Sequence, residues 1–98
     1  MQRGGQTVIR YRFIFRGRVQ GVGFRWFAAR TARQHGFTGY FRNLDDGSVQ
    51  CEVQGSDQEI AAFLERVRQG NGYASVDDMS VAYLDVIQDE SLFAIDQD

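Results

Sequence analysis

Lysine and proline are missing from this chain, and cysteine and histidine occur once each, as Cys51 and His35. One cysteine excludes an internal disulfide and a cysteine-based zinc site, and one histidine excludes a histidine-rich metal site. No run approaches the ~18 apolar residues that cross a bilayer, so no membrane partner is expected. Met1-Gln2-Arg3-Gly4-Gly5-Gln6 has no apolar core and is no secretory signal. It is expected to be a flexible tail (residues 1–6) ahead of one domain over 7–98, with the cytoplasm as the default location. Without proline, repeats or low-complexity segments, nothing marks a second domain. Ninety-eight residues suffice for one core without covalent staples.

Acidic residues are missing from the first forty-four positions. All eleven basic residues are arginines, and nine of them (Arg3, Arg10, Arg12, Arg16, Arg18, Arg25, Arg30, Arg33 and Arg42) precede the first carboxylate, Asp45. The thirteen acids follow, against only Arg66 and Arg68, so a formal charge of -2 conceals a split chain. Such asymmetry signals either an anionic partner or basic and acidic elements that interleave and pair in the fold.

The apolar pattern gives the architecture. Ile9, Tyr11, Phe13 and Phe15 alternate with mostly arginine positions, a strand period of two. Phe24, Phe27, Ala28, Thr31 and Ala32 form a one-sided helical stripe, ended by Gly36 as a C′ residue, with His35 a solvated last-turn residue. Tyr40 to Leu44 is short and aromatic. Asp46-Gly47 signals a hairpin turn into Val49, Cys51 and Val53, which places Cys51 on the core register. Ser56 and Glu59 have capping-box spacing ahead of Ile60, Phe63, Leu64 and Val67, and Gly70-Asn71-Gly72 ends that helix. A long strand over 76–87 follows, its faces obscured by Asp77 and Asp78, then a turn at 88–91 and a short strand over 92–95. Two helices with one apolar face each cover one side of a mixed, mostly antiparallel sheet. The expectation is an α+β, ferredoxin-like two-layer sandwich in the order β-α-β-β-α-β plus a short final strand.

Between the first strand and the first helix lies Gly17-Arg18-Val19-Gln20-Gly21-Val22-Gly23-Phe24-Arg25. Three glycines in seven positions can be read simply as a tight turn. They also allow backbone N–H groups to converge beside a helix N-terminus, whose dipole favours an anion. Arg25, in the first helical turn, can add a planar guanidinium, which suits a phosphoryl group. Gln20 can contact such a guest or hold the loop through hydrogen bonds, and Arg18 is expected to be exposed and to contribute to a positive field.

These residues, with Gly36, Gly39-Tyr40, Asn43, Asp46-Gly47, Val49 and Gly55, resemble the acylphosphatase family over about residues 8–95. The resemblance implies a five-stranded ferredoxin-like sheet and hydrolysis of acyl phosphates to a carboxylate and inorganic phosphate. It sets the phosphate-binding loop on Gly17, Arg18, Val19, Gln20, Gly21, Val22, Gly23 and Phe24. The catalytic arginine falls on Arg25 and the catalytic asparagine on Asn43. The chain departs from the family in three places. Asp96-Gln97-Asp98 follows the last strand where a basic or aromatic end is common, which leaves the terminus's role in positioning Arg25 open. Leu44 stands where some members carry threonine, and Asn71-Gly72-Tyr73 replaces a frequent proline.

The chemistry agrees with the residue types. The leaving carboxylate has a conjugate acid of pKa about 4, so no general acid is needed. No metal or other cofactor is expected: the loop has no nearby carboxylate to hold a cation. Arg25 and loop N–H groups would bind the phosphoryl oxygens. Asn43 would orient water for in-line attack without adding charge, and no covalent intermediate forms. The expected partners are a small acyl phosphate and inorganic phosphate, and the expected state is a monomer. A nucleic-acid module is the alternative, since ferredoxin-like sheets can stack bases on aromatics, but the RNP1 pattern is absent. A phosphate sensor is a third reading. The same loop also occurs as a module of a larger carbamoyltransferase of hydrogenase maturation, and a chain ending with the domain favours the free-standing enzyme.

Overall fold

The computed structural model describes residues 7–96; the proposed tail at 1–6 and the last two residues lie outside them. The element order is β1 (Val8–Arg18), α1 (Phe24–Gln34), β2 (Thr38–Asn43), β3 (Val49–Ser56), α2 (Asp57–Gln69), β4 (Ser75–Leu84) and β5 (Phe93–Ile95). The strands form one sheet in the order β4-β1-β3-β2-β5, antiparallel except for the β2–β5 pair. This is the two-layer ferredoxin-like fold that the helix and strand periods imply. No helix among the described residues is long and apolar enough to cross a membrane.

Register explains the core. Phe13 and Phe15 of β1 pair with Cys51 and Val49 of β3, and Phe41 of β2 also lies opposite Cys51. All five side chains are buried beneath Phe24, Ala28 and Ala32 of α1 and Ile60, Phe63 and Val67 of α2. Burial pushes the Cys51 thiol well above its ordinary pKa, which leaves it inert. Helix α1 stops as its glycine suggests: Gly36 at φ 76° donates to Arg33, and Phe37 donates to the Ala32 carbonyl, a Schellman end.

Three expectations need correction. Strand β4 starts at Ser75 and ends at Leu84, and its faces were obscured because Asp77 is an extra residue: Arg16 pairs Asp78 while Gly17 pairs Val76. This bulge restores both Val76 and Met79 to the core side. Opposite it, Gly17 sits at φ 130°, where a Cβ would collide with the Ser75 carbonyl. Ser56 is the N-cap of α2, but its hydroxyl makes no capping bond and is buried without a partner. The first-turn carboxylate Asp57 instead accepts from the Tyr11 hydroxyl at 2.7 Å, which raises that phenol's pKa. His35 is not simply solvated: it stacks flat on Phe37 at 4.9 Å, with Glu59 at 3.4 Å.

Part of the charge split resolves into pairing. Arg10, 1% exposed on the face away from the helices, donates to Glu52, Gln54 and Glu90. Glu90 lies on the β4–β5 connection, so this network pins that connection against the sheet. Burial pulls the Glu90 carboxyl's pKa upward, but the bond from Arg10 holds it below its ordinary value. Arg16 meets Asp78 and Arg42 meets Asp96, each arginine from the basic half matched by an acid from the other.

Candidate active site

A cleft of about 200 Å³ opens where the β1–α1 loop meets α1, lined by Val19, Gln20, Gly21, Gly23, Phe24, Arg25 and Trp26. Gly21 and Gly23 both take positive φ, 73° and 76°, a conformation that a side chain would strain. Gly23 is the N-cap of α1 and supplies no side-chain cap; the first turn carries no acid, and the first helical bond closes from Phe27 to the Gly23 carbonyl. The N–H groups of the first turn therefore have no helical acceptor and carry the positive end of the dipole into the cleft.

Gly17 and Arg18 are not loop residues. They close strand β1 against Val76 and Ser75, and neither lines the cleft. At Gly17 the β4 backbone is close enough by itself to require glycine. Val19 is buried and Val22 packs against the core, so their side chains anchor the loop while its backbone stays at the surface.

Two side chains hold this loop. Gln20 Nε2 donates to the carbonyls of Leu44 and Ser48, each at 2.9 Å, tying the loop to both ends of the β2–β3 turn. Of the two roles open to Gln20, the structure shows the loop-holding one. Because a backbone carbonyl is used, this bond does not depend on the side chain at 44, where leucine offers no hydroxyl. The turn spans Leu44 to Ser48, where the Ser48 hydroxyl and N–H both donate to the Asp46 carboxylate and lower its pKa. From the other side, Asn71 Nδ2 donates to the Val22 carbonyl at 2.8 Å while its Oδ1 accepts from the N–H groups of Tyr73 and Ala74. The chain thus has an amide clasp where proline is frequent. Sequence reasoning missed it: Asn71 sits between two glycines and reads as turn punctuation.

Arg25 is held from the last strand. Its Nη1 donates to the Asp96 carbonyl at 2.8 Å. Asp96 in turn donates its N–H to Phe41 of β2 at 2.8 Å, and its carboxylate accepts from Arg42 Nε at 2.8 Å. That bond to Asp96 raises the Arg42 pKa. The departure at the chain end therefore leaves a support for Arg25 intact, because a main-chain oxygen does the holding. Asn43 ends β2, between Phe41, whose carbonyl accepts from Asp96, and Leu44, whose carbonyl accepts from Gln20; it is not itself among the residues lining the cleft. Its Oδ1 is buried and accepts no hydrogen bond. A larger, shallower hollow of about 410 Å³ lies beside Tyr40, Arg42, Glu90 and Leu92, but its charges are already paired. No cluster of metal-binding side chains occurs among the described residues.

The acylphosphatase family model matches residues 11–95, a span that contains the loop, Arg25 and Asn43. The chain belongs to the acylphosphatase family. An acylphosphatase of Clostridium beijerinckii is 43% identical over 88 residues, covering 90% of this chain and 98% of that one. The crystal structure of acylphosphatase from Bacillus subtilis superposes with a TM-score of 0.85 at 35% identity, over 91% of this chain and 99% of that one. A full-length HypF structure matches 97% of this chain with 13% of its own length, at 28% identity and a TM-score of 0.81. The general activity follows from acylphosphatase membership: the chain is a hydrolase of acyl phosphates.

Proposed function

We propose that the cleft binds the phosphoryl group and that Asn43 presents water to it. The N–H groups of Gly21, Val22, Gly23 and Phe24 and the guanidinium of Arg25 take the phosphoryl oxygens. Water attacks phosphorus in line, the bridging P–O bond breaks, and its electron pair leaves with the carboxylate. One water proton stays on the new P–OH and the other passes to a phosphoryl oxygen, so a dianionic acyl phosphate gives a carboxylate and dihydrogen phosphate. The supporting observation is a helix N-terminus with neither side-chain cap nor first-turn acid beside an arginine. Such a site favours an anion, and phosphoryl transfer asks mainly for positioning and charge stabilisation. One chain carries every residue invoked, so a monomer suffices.

Hydrolysis of benzoyl phosphate in H2 18O tests this reading. The label is expected in phosphate and not in benzoate, with inorganic phosphate a competitive inhibitor and turnover insensitive to chelator. Label in benzoate would mean attack at the carbonyl carbon, and a trapped phosphoenzyme would mean a covalent route; either outcome overturns the proposal.

The Asn71 clasp carries a second expectation. Asn71→Asp keeps an acceptor for Tyr73 and Ala74 but loses the donor to Val22. With a bond of this kind contributing about 1 kcal/mol, the phosphate inhibition constant should rise roughly fivefold. Asn71→Ala should do the same and also lower Tm. An unchanged constant in both variants would show that the loop holds its shape without the clasp.

A further inference from the structure

Trp26 is the chain's one tryptophan, and it is 64% exposed. It lies off the α1 stripe: Phe24, Ala28, Ala29, Thr31 and Ala32 are buried, and Phe27 packs against them. Nine ring pairs link aromatic and histidine residues elsewhere among the described residues, and the indole takes part in none of them. Neither stability nor helix propensity calls for tryptophan here, since any polar helix former would serve at an exposed first-turn position. What sets the position apart is that Trp26 lines the cleft beside Gly21, Gly23 and Arg25.

Direction follows from helix geometry. Helical side chains lean toward the N-terminus, so a side chain at position 26 covers the turn before its own Cα, which is the mouth of the cleft. A phosphoryl group seated on the loop N–H groups projects its bridging oxygen, carbonyl carbon and acyl substituent outward, past that mouth. The substituent then meets a flat, apolar indole face. An offset or edge-to-face ring contact there adds to the gain from apolar burial, whereas a methyl group covers little of the face.

We propose that Trp26 is a specificity residue for the acyl half of the substrate, and that the preferred class is acyl phosphates with an aromatic or extended apolar acyl group rather than short ones. This rests on the cleft being the phosphoryl site. Contact with the substituent is made equally before and during P–O cleavage, because the substituent does not react. It therefore acts on KM and leaves kcat alone.

The test compares benzoyl phosphate with acetyl phosphate on the wild type, Trp26→Ala and Trp26→Phe, with inorganic phosphate inhibition measured on each. Each substrate is compared with itself across variants, so the intrinsic reactivities of the two anhydrides cancel. Trp26→Ala is expected to raise KM for benzoyl phosphate roughly tenfold, the size of one ring contact with its buried area. Its kcat, the acetyl phosphate constants and the phosphate inhibition constant should move less than about twofold, and Trp26→Phe should recover most of the loss. Parallel changes for both substrates, or none for either, would overturn the assignment while leaving the phosphoryl site standing. Absence of competition by phosphate in the wild type would instead remove the phosphoryl site, and this inference with it.

Discussion

Arg25→Ala is expected to lower kcat/KM for benzoyl phosphate by about 10³-fold or more and to weaken inhibition by inorganic phosphate. An arginine that neutralises a transferring phosphoryl group is typically worth about 10³–10⁵ in rate. Arg25→Lys should recover little of this. A lysine keeps the charge, but its single ammonium cannot bond two phosphoryl oxygens in one plane while also reaching the Asp96 carbonyl, as Arg25 Nη1 does at 2.8 Å. The lysine variant therefore separates fork geometry from charge. Fold stability is a poor alternative explanation. The bond to the Asp96 carbonyl, one of the contacts Arg25 makes, is worth about 1 kcal/mol, about 4–8 °C in Tm for a domain of this size. Strand β5 also keeps its other ties, since Arg33 donates twice to the Phe93 carbonyl and Arg42 still meets Asp96. Wild-type-like turnover in the alanine variant would sink the assignment, and wild-type-like turnover in the lysine variant would show that charge alone suffices.

The supports of Arg25 and of the loop show what sequence can and cannot carry. Side-chain periods are local, so the alternation through Phe13 and Phe15 and the stripe from Phe24 to Ala32 translated directly into β1 and α1. The glycine positions of the loop were legible for a similar reason: Gly21 and Gly23 are there for positive φ, which few other residues tolerate. Gly17 looked the same in sequence and does a different job, because its constraint comes from β4, about sixty residues away. The bulge at Asp77 was opaque because an extra residue breaks the period on which strand reading depends. Asp96 was illegible for a different cause. It serves Arg25 through its carbonyl, and a main-chain oxygen leaves no mark on residue type. Asn71 and Gln20 have informative side chains, but their partners are carbonyls at 22, 44 and 48 that only the folded chain brings within reach.

Asn43→Ala should have the opposite profile to Arg25→Ala: kcat falls about 10²–10³-fold, while phosphate inhibition stays near its wild-type value. That magnitude is typical of one well-aimed polar group at a reacting centre. Phosphate bound on the loop and Arg25 does not need the group that aims the water, so the binding constant is spared. Stability makes the argument sharper. Asn43 Oδ1 is buried and accepts from no protein donor among the described residues, so alanine breaks no protein hydrogen bond at that atom. The variant should therefore melt no lower than the wild type. A residue kept only to end β2 and enter the turn would show the reverse, a lower Tm with turnover intact. Asn43→Asp completes the comparison, being nearly isosteric but anionic at neutral pH. A carboxylate beside a dianion repels it, so this variant should combine the low kcat of alanine with weaker phosphate inhibition. Loss of kcat in both variants, with binding weakened only in the aspartate, is the pattern expected of a neutral amide that acts on water and leaves the anion to the backbone and Arg25.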